Sequence, residues 1–203
     1  MKPHCFPGAT FPAMVSMFLV SCAPWTVRPI DKSGADSGQS RPFDADQYVD
    51  SIWNARVLPA ISGGAVELAE LLRPASHPAG AVLVKGEGRV LRVDTSSRTG
   101  LLLIDAEPYD GRPDAALQIG PVIRGTTLRD ALPFIQFSQF VNQLQFAQVG
   151  NALNGRVSAA LTSFSTRDLA GSIVVFSGAA AQPPEGGLLE IVPVKLAVKR
   201  GRP

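Results

Sequence analysis

Cysteine and histidine are scarce, with two of each in 203 residues. His4 and Cys5 fall in the first five residues, so only Cys22 and His77 bear on the rest of the chain. A Ser-His-Asp triad or a histidine-rich metal site would have to be built around His77 alone, which sits between Ser76 and Pro78 in a turn. It is read as incidental. Charge is sparse as well: 18% of residues are charged and the formal net charge is +2. The basic residues are dispersed except for Lys195, Lys199, Arg200 and Arg202, read as a solvated tail, so no long footprint for nucleic acid is present. Internal repeats are absent. Lys85-Gly86-Glu87-Gly88 lacks the Gly-Lys-Ser/Thr ending of a phosphate loop and is read as a tight turn.

The N-terminus carries the most specific motif. A single Lys2 precedes the apolar run from Phe11 to Val20, too short to span a bilayer as a mature helix but suited to the hydrophobic part of an export signal. Leu19-Val20-Ser21-Cys22 then resembles a lipobox, where small side chains let a signal peptidase hold the extended backbone and the thiol is the nucleophile that is alkylated. Residues 1–21 are expected to be a signal and Cys22 the lipidation site, which leaves no free thiol for cysteine catalysis or a thiolate zinc site. Acyl chains contribute about 0.8 kcal/mol per buried methylene, enough for two or three of them to hold the chain on a membrane. Loss of Lys2 leaves a net charge of +1. Residues 22–42, rich in Ser, Gly, Asp and Pro without periodicity, read as a tether.

About 160 residues remain for folding, enough for one core. Apolar residues reach 45%, and 17 prolines with 19 glycines spread along the chain predict many short elements, as in a β-rich or α+β domain. Asp44 is placed to cap a helix through Arg56, with Val49, Ile52, Trp53 and Arg56 on one face. Trp53 suits core packing better than a ligand platform. Pro59 and Gly63-Gly64 should end that segment, and Val66 to Leu72 reads as a second short helix. Strands are expected at Ala81–Lys85, Arg89–Asp94, Gly100–Asp105 and Ala115–Val122, most simply as a meander. Thr127 with Asp130 resembles a capping box for a short helix. Phe137, Phe140, Val141 and Leu144 form a helical stripe beginning at Ser138, and Ala147–Leu161 suggests another helix. Two strands, Ser172–Ser177 and Leu188–Val198, close the chain. The stretch from Leu117 to Asn154 is read as the centre of the core.

No spacing matches a catalytic or metal-binding pattern. The acids between Asp105 and Asp114 fit no calcium-loop register and read as a solvated hairpin loop. Arg98, Arg124 and Arg129 suit either an ion pair with Asp94 or Asp130, or a carboxylate or sugar hydroxyl from outside. Asn142 and Gln143 could meet a polyhydroxy ligand or satisfy backbone groups. Arg98, Arg124, Asn142 and Gln143 are therefore the candidate ligand-binding residues, with no catalytic residue, cofactor or metal expected.

Three segments, FDADQYVDSIWNARVLP (43–59), VKGEGRVLRVDTSSRTG (84–100) and Leu117 to Asn154, including LQIGPVIRGTTLRDALPFI, resemble the DUF2291 family of predicted periplasmic lipoproteins. The resemblance covers about half of the expected mature domain. It implies an α+β fold: a small helical part (43–80) followed by an OB-like antiparallel β-barrel (81–203) with short helices inserted near 127–161. The family's genes often lie beside sugar ABC-transporter genes, which implies an accessory or binding role in sugar uptake, with transporter components or a sugar as partners. No catalytic residues are known for the family. The chain departs from it between Leu72 and Ala81, where the connection is shorter, and in the acidic loop, where prolines replace an Asp-Gly-rich run. Two alternatives stand beside this reading: a periplasmic hydrolase working through carboxylates such as Asp94 or Asp130, and an OB-type nucleic-acid binder, which export and dispersed charge oppose.

Overall fold

The computed structural model describes residues 42–73, 80–181 and 187–199. The expected signal, Cys22, most of the tether, His77 and Arg200 to Arg202 lie outside the described residues. Asp44 caps the first helix, α1 (Ala45–Ile52), its carboxylate accepting from the Gln47 amide at 3.0 Å. The buried stripe of Val49, Ile52 and Trp53 follows the helical period read from the sequence.

Pro59 does not stop this helix as expected. A π-helical turn over Trp53–Val57, in which the Leu58 amide donates to the Trp53 carbonyl, intervenes before α2 (Leu58–Gly64). Pro59 thus falls in the first turn of a new α-helical segment, where its missing N–H is least costly. The second helix expected over Val66–Leu72 is shorter, because Val66–Glu67 forms a strand, β1, and only Leu68–Leu71 is helical (α3).

The remaining strands are β2 (Ala81–Asp94), β3 (Leu101–Asp105), β4 (Ala115–Gln118), β5 (Ile173–Ala181) and β6 (Leu189–Val198). Between β4 and β5 lie α4 (Thr127–Asp130), a 3-10 turn (Phe137–Gln139) and α5 (Gln143–Leu161). The pairings run in a ring, β2–β3–β4–β6–β5 and back to β2, with β1 added in parallel beside β2. β4 and β6 run parallel over three residue pairs, so the sheet is mixed rather than wholly antiparallel. A strand meander would have left β2 and β5 apart. Here they pair along nine positions, from Ala81↔Ala181 to Arg89↔Ile173.

The turn expected at Gly86-Glu87-Gly88 is instead the middle of the 14-residue strand β2, whose first half pairs with β5 and second half with β3. Both glycines leave room for neighbours: a Cβ at Gly86 would lie 2.8 Å from Leu68 Cβ, and one at Gly88 2.9 Å from Ile104 Cδ1. The two helices expected around Phe137–Leu144 and Ala147–Leu161 are a 3-10 turn and one 19-residue helix beginning at Gln143.

Two hydrophobic cores result. The barrel interior holds Val84, Val90, Leu102, Ile104, Leu117, Val174, Phe176 and Ile191. A second core joins α1, α2 and α5 to the outside of the sheet through Leu83, Ala179, Val192 and Val194. Adjacent β6 residues Ile191 and Val192 enter different cores, as the two-residue period requires. Among the described residues, no helix is long and apolar enough to cross a membrane.

Candidate functional site

β4 reads as apolar apart from its last residue, Gln118, which is 3% exposed. A buried amide needs partners on both its oxygen and its nitrogen. Gln118 Oε1 accepts from the Arg124 backbone amide at 2.7 Å, and Nε2 donates to Glu190 Oε2 at 3.1 Å. The other carboxylate oxygen of Glu190, on neighbouring β6, accepts from Arg124 Nη2 at 3.3 Å. Gln118, Arg124 and Glu190 therefore form a closed triangle of contacts on the outer surface of the barrel, each orienting the next.

The loop that carries Arg124 is itself fastened. From α5, Asn154 Nδ2 donates to the carbonyls of Ile123 (3.3 Å) and Gly125 (2.8 Å), and Ser158 Oγ donates to that of Pro121 (3.0 Å). At its start, Gly120 passes so close to the Arg98 and Thr99 carbonyls that a side chain has no room. Gly125 takes φ +79°, in the left-handed region that glycine adopts without strain.

These three side chains border an open cleft of about 590 Å³. Leu101, Ala116 and Leu188 give it an apolar surface, and Thr127 adds a hydroxyl. Arg124 and Glu190 are about half exposed, so the guanidinium and the carboxylate both face water as well as each other. The cleft thus offers fixed donors and acceptors beside an aliphatic surface.

Of the residues singled out from the sequence, Arg124 lines this cleft. Arg98 lies in the exposed β2–β3 turn, and its backbone carbonyl accepts from the Val122 amide. Among the described residues its guanidinium makes no hydrogen bond or ion pair. Asn142 caps α5 by accepting from the Gln145 amide at 2.9 Å, and Gln143 is exposed in the first turn. The structure does not bring Arg98, Asn142 and Gln143 into the cleft with Arg124. Gln118 and Glu190 escaped the sequence reading, although each interrupts an apolar run, in AALQIG and LLEIVPV.

Several other charged groups serve the fold. Arg129 pairs with Asp130 at 2.7 Å, lies 3.8 Å from the Phe146 ring centre and donates to the Phe146 carbonyl. Asp130 also accepts from the Thr126 hydroxyl at 2.6 Å, and Thr126, not Thr127, is the N-cap residue of α4. Among the described residues Asp94 forms no ion pair with an arginine: it accepts from the Ser96 hydroxyl at 2.6 Å and amide at 3.0 Å, which hold its carboxyl below the usual aspartate range. In the acidic loop, Asp105, Asp110 and Asp114 accept from the loop's own backbone. Asp105, 1% exposed, accepts from the Gly111 amide at 2.8 Å, and Asp114 accepts from that of Ala106 at 2.7 Å. Lys199 does not belong to a free tail; its ammonium meets Glu87 at 2.6 Å, which raises its pKa. Among the described residues, no three His, Cys, Asp or Glu side chains gather to hold a metal ion.

The ring order of the five main strands and the helix between the third and fourth are those of an OB-fold. The domain is similar to an OB-fold protein of Thermotoga maritima known from a crystal structure. The TM-score is 0.61 at 18% identity, covering 78% of this chain and 100% of that one. No curated protein matches the chain. The model of the family described as predicted periplasmic lipoprotein (DUF2291) matches residues 13–81 and 76–197, which takes in the helices and every strand of the ring. Sequence and architecture agree, and the chain belongs to the DUF2291 family of periplasmic lipoproteins.

Proposed function

We propose that this protein is a ligand-binding lipoprotein, acylated at Cys22, that captures a small polyhydroxylated molecule in the Gln118–Arg124–Glu190 cleft and serves a sugar ABC-transport system as an accessory component. The observation that carries the reading is the hydrogen-bonded triangle at the edge of the cleft. Sugar rings present an aliphatic face and a rim of hydroxyls. The cleft sets Leu101, Ala116 and Leu188 beside a planar donor, a planar acceptor and the Thr127 hydroxyl. OB-type domains bind oligosaccharides and oligonucleotides on the face of their second and third ring strands. Here those strands are β3 and β4, which supply Leu101, Ala116 and Gln118. A phosphate backbone suits the cleft poorly, since its one arginine already faces the Glu190 carboxylate.

The test is a thermal-shift screen of the chain from residue 22 onward, carrying Cys22→Ser, against monosaccharides, pentitols and periplasmic sugar-binding proteins. A ligand that binds the native state stabilises it by RT ln(1 + [L]/Kd). A saturable rise with a sugar that disappears in Gln118→Ala and Arg124→Ala supports the reading. A rise that both variants retain refutes this cleft as the site. Absence of any sugar shift, with co-elution of a transport component, would make the role one of scaffolding.

A further inference from the structure

We propose that Phe137, Val141 and Leu144 form a docking face that rests on the lipid bilayer to which the chain is anchored. These side chains are 49%, 87% and 66% exposed, the three highest values among the large apolar residues described, and they lie within eight positions of one another. Their exposure does not come from slack local structure. The Phe137 ring stands edge-on to Phe146 at 5.6 Å, Gln136 and Gln139 bond reciprocally around the 3-10 turn, and the Val141 amide donates to Gln145 Oε1 at 3.1 Å.

Two further observations select a bilayer as the occupant. From Ala131 to Gly155, 25 consecutive residues, there is no Asp, Glu, Lys, Arg or His; the polar positions near the face are neutral amides and hydroxyls. Lowering this face into the headgroup layer therefore strips water from no ion on this stretch, the cost that usually opposes burial at an interface. The route of the chain points the same way. Phe43, near the first described residue, lies 5.7 Å from Phe140, which is 5.6 Å from Phe146 and so adjoins Phe137. The polypeptide thus enters the domain beside the face, and residues 23–41, nineteen in all, separate this point from Cys22. Even fully extended they keep this point of entry, which the face adjoins, within about 70 Å of the anchored cysteine. Contact with the membrane becomes intramolecular, so three apolar side chains suffice where they would bind only weakly on a free protein.

The inference rests on the acylation of Cys22 proposed above, and the experiment separates the two. The full lipidated chain carrying Leu144→Cys, in which that thiol is the only free one after maturation, is labelled with an environment-sensitive fluorophore and reconstituted in phosphatidylethanolamine–phosphatidylglycerol vesicles containing doxyl lipids. A second preparation carries the label through Val175→Cys, an exposed site on β5. Quenching at least about threefold stronger at 144 than at 175 is expected of side chains at headgroup depth. Equal quenching at the two sites overturns the proposal. So does a label at 144 that is shielded from water without lipid quenching, because a second copy or another protein then covers the face. The mass of the N-terminal peptide reports acylation independently. If Cys22 proves unacylated, lipid quenching at 144 in a Cys22→Ser chain at high vesicle concentration keeps the docking face while the anchor is lost; its absence overturns the face too.

Discussion

The Asn154 side-chain amide donates to the Gly125 carbonyl at 2.8 Å, so the middle of α5 fixes the loop whose next residue back is Arg124. One helix thereby contributes both to the outer core, through Val149, Leu153 and Val157, and to the shape of the cleft.

Asn154→Ala leaves the Ile123 and Gly125 carbonyls without this donor in a nearly closed setting. It should destabilise the fold by about 1–3 kcal/mol in urea unfolding and weaken any sugar binding beyond what that loss explains.

Leu153→Ala provides the contrast. Leu153 is fully buried in the outer core and does not line the cleft, so its truncation should cost about 2–5 kcal/mol in unfolding while the remaining folded protein binds ligand unchanged.

Glu190→Gln keeps the shape of the triangle and removes its charge. The Gln118 nitrogen retains an acceptor, whereas the ion pair with Arg124 is lost. Because both charged side chains are about half exposed, unfolding should shift by less than about 1 kcal/mol. Isothermal titration with the ligand found in the screen should show the larger change.

Gly178→Ala places a methyl against the backbone carbonyl of Val192 at the bulge where β5 and β6 change register. Backbone on both sides cannot yield independently, so the variant should lose more than about 2 kcal/mol, seen as a lowered Tm, and should express poorly.

Asp94 supplies a pH dependence. Its folded pKa lies below the ordinary value because Ser96 bonds the ionised carboxylate, so folding favours the charged form. The stabilisation is present at neutral pH and is lost as pH falls through the folded pKa, below the usual aspartate range. Asp94→Asn should remove that acid-side decline, measured as Tm between pH 6 and pH 2, and Ser96→Ala should reduce it.

The features legible in the sequence are those governed by local period. The Asp44 cap and the Val49, Ile52 and Trp53 positions of the stripe depend on neighbours three or four residues away and stand as read, whereas past the π turn Val57 is buried and Arg56, expected on the same face, is exposed. Gly86 and Gly88 were opaque because isolated glycines ordinarily mark turns. Their reason lies in Leu68 and Ile104, which press on the strand from elsewhere in the fold. Pro59 misled in the same way, since the π turn before it depends on packing rather than on any residue signature. The cleft was half legible. Arg124 stood out beside its Gly-Pro corner, but its partner Glu190 lies 66 residues away and Gln118 meets Glu190 across 72, separations at which spacing carries no information.

The pairing of Ala81 with Ala181 means that this end of the barrel seam joins residues a hundred positions apart. Such contacts close large loops before they are rewarded, so folding should be slow compared with helical proteins of this size. The final strand, β6, joins β4 to β5, and neither the ring nor the outer core is complete until residues to Val198 have arrived. A chain that emerges from its N-terminus, from a ribosome or through a membrane, therefore stays without its barrel until β6 has emerged.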